Sequence, residues 1–192
     1  KGGENMDYLI VLIILIAVVL LYVFTTYNLF VTAKVRVQQS FRDIDIQLKK
    51  RYDLLPDLVE TAKKAANLDE KIFTEVARLR SEAIQAKDSG VPLSQRAEVE
   101  NKLSGMMRDI KVAVEAYPDI KSHGELLDLM SKVSDIEEKI AYSRQFYNSN
   151  VADYNTKIKL FPAMIIASNM GFKEEEFFAA PEEEKKDIKV AF

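Results

Sequence analysis

The sequence has no cysteine, no tryptophan and one histidine, His123, among its 192 residues. Without cysteine there is no disulfide framework and no thiolate-held zinc or iron–sulfur centre. One histidine also excludes the di-iron bundle signature, Glu-x-x-His on two helices, because the residue three before His123 is Ile120. The same histidine has no Gly-x-Ser-x-Gly elbow to serve, and it reads as an exposed loop residue. No Gly-x-x-x-x-Gly-Lys-Ser/Thr loop is present to cradle a nucleotide phosphate. Six glycines and five prolines are too few for a collagen-like or low-complexity chain. Carboxylates are plentiful, but beside so many Lys and Arg they read as paired solvent faces. The reading is therefore of a chain with no catalytic residue, no cofactor and no metal site. The net charge of −3 lacks the basic balance that nucleic-acid phosphates require, so no nucleic-acid partner is expected.

What the sequence does have is one long apolar run. Between Tyr8 and Ala33 there is no charged residue, and Leu9 to Phe24 is almost entirely Leu, Ile, Val and Ala. A bilayer core about 30 Å thick is crossed by roughly 20 such residues in a helix. Tyr8 at one end and Tyr22 and Tyr27 at the other suit the two interfacial layers. A membrane helix over 8–30 is predicted. A cleaved signal peptide fits less well, because Glu4 and Asp7 precede the run and only Lys1 is basic there. Basic residues gather on the other side, at Lys34, Arg36, Arg42, Lys49, Lys50 and Arg51. The positive-inside rule then puts residues 1–7 outside the cell and the body in the cytoplasm. Lys1 to Asn5 can be encoded by a purine-rich ribosome-recruiting sequence, so Met6 is the expected initiator.

Beyond the run, apolar residues recur at intervals of three and four, the helical spacing. Phe41, Ile44, Leu48, Leu55, Leu58, Ala62 and Ala65 form one stripe, and Ile72, Val76, Leu79, Ala83 and Ala86 a second. A third runs through Val99, Leu103, Met106, Ile110, Ala113 and Tyr117. The longest joins Leu126, Leu129, Val133, Ile136, Ile140, Ser143, Tyr147, Val151, Tyr154 and Ile158. Narrow stripes on polar helices predict an all-α fold, a membrane helix continuing into an antiparallel four-helix bundle over 31–160. The helices are expected over 34–66, 69–88, 94–116 and 122–160. Asn67 with Glu70 and Ser122 with Glu125 resemble capping boxes. Gly90-Val91-Pro92 and Pro118 separate helices. Pro56, lacking an N–H, deprives the Tyr52 carbonyl of its helical partner, and a kink is expected there. The helix lengths suggest a membrane-proximal stalk and a distal head, with Leu160-Phe161-Pro162 returned near the bilayer. A short apolar helix follows, and residues 161–192 end in an acidic tail. Four basic and seven acidic groups over 173–192 predict a solvated segment.

Two groups of residues are candidates for contact. The dipeptide Tyr-Asn occurs at Tyr27-Asn28, Tyr147-Asn148 and Tyr154-Asn155, the last two seven residues apart and so on one helix face. Buried Asn there would fix helix register, or the cluster would form a polar surface for another subunit. The stretch Lys49-Lys50-Arg51 reads as a solvated bundle face. Lys34 and Arg36 are better placed for lipid headgroups. Residues 158–172, with Phe161 and Ile165, suit either a cap on the bundle end or headgroup insertion.

The run Ile44-Asp45-Ile46-Gln47-Leu48-Lys49-Lys50-Arg51-Tyr52-Asp53-Leu54-Leu55-Pro56-Asp57-Leu58-Val59-Glu60, with Glu115-Ala116-Tyr117-Pro118-Asp119, Arg144-Gln145-Phe146-Tyr147-Asn148, Phe161-Pro162 and Gly171-Phe172, resembles the LemA family of bacterial membrane proteins. Asp57 stands where that family usually has Asn. The resemblance implies one membrane helix, a short outside N-terminus, a cytoplasmic helical bundle and no established enzymatic activity. It also implies a neighbourhood of membrane metalloprotease genes, and hence such a protease as a partner. Together these readings predict a membrane-bound scaffold that forms homo-oligomers, with lipid binding by the membrane-proximal bundle end as the alternative.

Overall fold

The computed structural model describes residues 2–65, 70–116 and 124–179. The described residues form five helices: α1 (Gly2–Ala65), α2 (Glu70–Asp88), α3 (Leu93–Ala116), α4 (Gly124–Lys159) and α5 (Ala163–Asn169). No strand occurs among them, and the all-α expectation holds. The predicted membrane helix and the first bundle helix are one continuous helix. Tyr117, Pro118, His123, both predicted capping-box residues Asn67 and Ser122, and tail residues 180–192 lie outside the described residues.

The chain divides into two compact units. The first comprises residues 1–40 and 149–175, which is the N-terminal part of α1, the last turns of α4, α5 and the start of the extended segment after it. Along α1 the side chains from Tyr8 to Leu21 are roughly half or more exposed on every face. A helix apolar all round is stable only with an apolar surrounding, which marks this stretch as a candidate transmembrane span. Polar groups near its end are satisfied locally: the Thr25 hydroxyl donates to the Leu21 carbonyl at 3.0 Å and Thr32 to the Asn28 carbonyl at 2.8 Å. Burial begins at Thr26 and Phe30 and continues at Ala33, Val37 and Ser40.

α5 is closed by Gly171, whose φ of 76° is the left-handed conformation that an L side chain rarely adopts. The Phe172 amide returns to the Ala167 carbonyl at 3.0 Å and the Gly171 amide to Ser168 at 3.4 Å, pairing the last carbonyls of the helix. The chain then continues without helix or strand through residue 179.

The second unit, residues 41–148 and 176–192, holds the remainder of α1, then α2, α3 and the first turns of α4. Ile44, Leu48, Leu55, Leu58 and Ala62 of α1 are buried, as are Val76, Leu79 and Ala83 of α2 and Leu126, Leu129, Val133 and Ile140 of α4. These positions of the predicted stripes form the core, together with Phe73 of α2, whereas Phe41, Ile72, Ala86, Ile136 and Ser143 are only half-buried. α3 differs. Its buried positions are Arg96, Ala97, Glu100, Leu103, Met107, Ile110 and Val114, one residue around from much of the expected stripe. The apolar pattern passes over Arg96 and Glu100 because charges are not expected inside, and so it settles on Val99 and Met106 instead.

Pro56 lies within α1, which continues past it to Ala65. The Tyr52 carbonyl that its missing N–H leaves without a helical donor is taken by Arg80 of α2, whose Nε donates to it at 2.8 Å. Between α2 and α3, Gly90 adopts φ 62° and ends the helix.

Candidate functional site

The centre of the second unit is polar. Arg51, expected on a solvated face with Lys49 and Lys50, is 1% exposed, while the two lysines are exposed. Its guanidinium donates to Glu100, to Glu137 at 2.8 Å and to the Ser104 hydroxyl at 2.8 Å. Glu100, fully buried, uses its other oxygen to accept the Tyr52 hydroxyl. Ser104 in turn donates to Glu137 at 2.7 Å. The expectation that carboxylates lie only on solvent faces is corrected here. A carboxylate is held inside because a guanidinium and a phenol together occupy both of its oxygens.

Beside this group, Arg96 donates to Asp45 and its guanidinium lies 5.5 Å from the Phe41 ring centroid. Three helices thus contribute to one network: α1 through Arg51 and Tyr52, α3 through Glu100 and Ser104, and α4 through Glu137. The electrostatics run away from neutrality. Burial acts to lower the Arg51 guanidinium, but Glu137 and Glu100 outweigh it and hold it above its ordinary value. Burial, and then the charge of Glu100, push the Tyr52 phenol well above the usual tyrosine range. Neither becomes a base or nucleophile near neutral pH. Among the described residues no group of three or more His, Asp or Glu is placed to hold a metal ion.

Two of the three Tyr-Asn dipeptides hold the backbone of the segment that follows α5. In the second unit the Asn148 side chain grips the backbone of Phe178 on both sides, its Nδ2 donating to the carbonyl at 3.0 Å and its Oδ1 accepting the amide at 2.8 Å. The Tyr147 hydroxyl donates to the Glu176 carbonyl at 2.8 Å. Phe178 is 1% exposed, and the Arg144 guanidinium lies 4.5 Å from its ring centroid. Asn101, which accepts from Arg144 at 2.8 Å, donates to the Ala179 carbonyl at 3.3 Å.

In the first unit the same dipeptide repeats the arrangement. Asn155 donates to the Glu175 carbonyl and accepts the Glu175 amide, both at 2.9 Å, and the Tyr154 hydroxyl donates to the Lys173 carbonyl at 3.0 Å. Burial raises the Tyr154 phenol above its ordinary value, and nearby Lys34 partly opposes this. Lys34 pairs with Glu175 at 3.1 Å, and Lys159 with Glu174 at 2.7 Å.

Residues 173–179 are therefore fastened to α4, which corrects the expectation of a wholly solvated tail. The acidic side chains masked the reason: the grip is on the backbone, and Phe178 supplies the apolar anchor. An Asn amide sets an N–H donor and a carbonyl acceptor side by side in one plane, matching the N–H and C=O of a single backbone residue. Tyr27 lies against Phe172, with ring centroids 5.7 Å apart and edge-on geometry, whereas Asn28 is exposed. Of the headgroup candidates, Arg36 is exposed, Lys34 is taken up with Glu175, and Phe161 and Ile165 are 79% and 53% exposed.

Taken together, these features define a helical-bundle protein whose first helix carries a candidate transmembrane span and whose core is organised by a buried charge network. The chain belongs to the LemA family, whose model matches residues 40–192. It is 26% identical over 175 residues to the magnetosome protein MamQ of Magnetospirillum gryphiswaldense, covering 79% of this chain and 64% of that protein. Identity is 27% over the same length and shares with MamQ 2 of Paramagnetospirillum magneticum. Protein LemA of Metamycoplasma hominis is 20% identical over 152 residues, covering 79% of this chain and 68% of the relative. The chain thus spans slightly less than two thirds of the MamQ relatives' length.

Proposed function

We propose that the protein is a membrane-anchored, non-enzymatic scaffold that associates with further copies of itself at the cytoplasmic membrane. The observation that carries this reading is that one unbroken helix, α1, bears both an apolar span exposed on every face and the Arg51 side of a buried polar core. The first property suits an anchor. The second suits a rigid body whose buried charges are consumed in holding helices together, leaving surfaces to act. The basic residues after the span, Lys34, Arg36 and Arg42 foremost, favour an outside N-terminus and a cytoplasmic bundle. Self-association is supported by exposed Val31 and Val35, one turn apart on α1 beyond the 8–30 span, which the first unit leaves uncovered. A membrane metalloprotease is the partner that the family resemblance suggests.

The absence of cysteine makes the test direct. A Val35→Cys variant in native membranes should form a covalent dimer with a short bismaleimide, and detergent-solubilised protein should exceed monomer mass at micromolar concentration. A strict monomer in both assays refutes self-association. A second variant, Glu98→Cys on the exposed face of α3, should resist an impermeant maleimide on intact cells and react after lysis. Labelling of intact cells refutes the sidedness.

A further inference from the structure

The turn that closes the first unit carries most of its apolar side chains on the outside. Ile166 and Ala167 of α5 are buried, but Leu160, Phe161, Met164, Ile165 and Met170 are each about half exposed or more. Two residues hold the helix down, and five large apolar ones are left for something else.

The level of this patch is fixed by the chain itself. Phe172 follows directly on the α5 cap, its amide bound to Ala167, and its ring lies edge-on to both Tyr27 and Phe30 at 5.7 and 5.2 Å. Counted from Leu9, a 30 Å apolar core is crossed after about 20 residues, at Asn28. Tyr27 and Phe30 bracket that point. α5 is therefore tied to α1 at the depth where apolar lipid gives way to headgroups.

A cleft of about 460 Å³ beside α5 repeats the same division of chemistry. Ile158, Met164 and Phe172 line it together with Lys159, Lys173 and Glu174, and Lys159 pairs with Glu174 at 2.7 Å. Acyl chains favour the apolar residues of this lining, and lipid phosphates the Lys173 ammonium.

We propose that Leu160–Phe161 and α5 form an interfacial wedge, lying in the plane of the bilayer that α1 spans, with Phe161, Met164, Ile165 and Met170 set into the acyl boundary. The inference rests on the membrane anchoring proposed above. Continuity with the span selects lipid over a second protein copy, since a protein-covered patch has no need to stand at this depth.

The chain has no tryptophan, so single-Trp variants of the full protein report position without background. Three are needed in vesicles of phosphatidylcholine and phosphatidylglycerol: Phe161→Trp, Val19→Trp within the span, and Val112→Trp on the exposed surface of α3. With lipid brominated near the glycerol end of its acyl chains, Phe161→Trp should emit to the blue of Val112→Trp and be quenched at least about twofold. Adding Ile165→Asp should reduce that quenching.

Quenching of Val19→Trp alone overturns the wedge while leaving the anchor standing. Quenching of neither Val19→Trp nor Phe161→Trp overturns both. Blue-shifted but unquenched Phe161→Trp emission assigns the patch to a protein neighbour, and that also overturns the proposal.

Discussion

Replacing Glu100 by leucine probes the centre of the second unit. Glu100 is fully buried and Arg51 is 1% exposed, so water cannot take over the interaction when the carboxylate is removed. Arg51 keeps its contacts to Glu137 and Ser104, both at 2.8 Å, but loses the only fully buried carboxylate facing it among the described residues. Truncating one member of a buried pair costs about 3–5 kcal/mol, because the partner remains charged in a dry site. The Tyr52 hydroxyl, which donates to the same carboxylate, becomes an orphan at a further cost of about 1–3 kcal/mol. The retained Glu137 contact and the added apolar side chain offset part of this, and a net loss of about 4 kcal/mol is expected. In a protein of this size that lowers the melting temperature by about 10 °C. Urea and thermal melts of the full chain in detergent, followed by far-ultraviolet circular dichroism, measure the free-energy loss and the temperature shift. The triple variant Arg51→Met, Glu100→Leu, Glu137→Leu removes all three charges at once and should recover at least half of the loss, since no unpaired ion remains. A single variant within about 1 kcal/mol of the parent, or a triple variant less stable than the single, refutes the idea that mutual charge compensation holds this core.

Tyr52→Phe should change the alkaline limb of stability. The folded state holds the Tyr52 proton more tightly than the unfolded chain does, so its contribution is complete below the ordinary tyrosine pKa of about 10 and is lost as pH rises beyond it. The variant should unfold with a shallower dependence on pH above that point, by up to about 1.4 kcal/mol per pH unit, with Tyr154 retaining part of the slope. Asn155→Ala should speed hydrogen exchange of the Glu175 amide about fivefold, and Asn148→Ala that of the Phe178 amide, as each loses one acceptor worth about 1 kcal/mol. Proteolysis between residues 176 and 179 should follow from Phe178→Ala, which removes a fully buried ring worth about 3–4 kcal/mol locally. By contrast, Arg78→Ala should leave the melting temperature unchanged, because its ion pairs with Glu75 and Glu82 are exposed and solvent-screened.

Periodicity and punctuation make much of this protein legible in its sequence. An uncharged run from Tyr8 to Ala33 cannot be covered by a bundle of this size, so its length alone implied a lipid surrounding. The breaks at Gly90 and after Lys159 followed from glycine and proline, and much of the buried faces of α1, α2 and α4 from apolar residues spaced at three and four. Even the orphaned Tyr52 carbonyl was foreseeable, since a proline at position 56 has no N–H to offer it.

What tertiary structure alone decided was the placement of charge and of backbone. A pattern of apolar residues cannot say that Arg51 turns inward while Lys49 and Lys50 turn outward, because burying a guanidinium is favourable only where two carboxylates and a hydroxyl arrive from other helices. Glu100 and Glu137 are 49 and 86 residues away, and α3 rotates by one position to deliver the first of them. Likewise, nothing in an acidic stretch announces that its main chain is held. Tyr147, Asn148, Tyr154 and Asn155 were conspicuous as a repeated pair, but a side-chain amide fits any exposed peptide group equally well. Only the return of the chain past α5 set Glu175 and Phe178 within their reach.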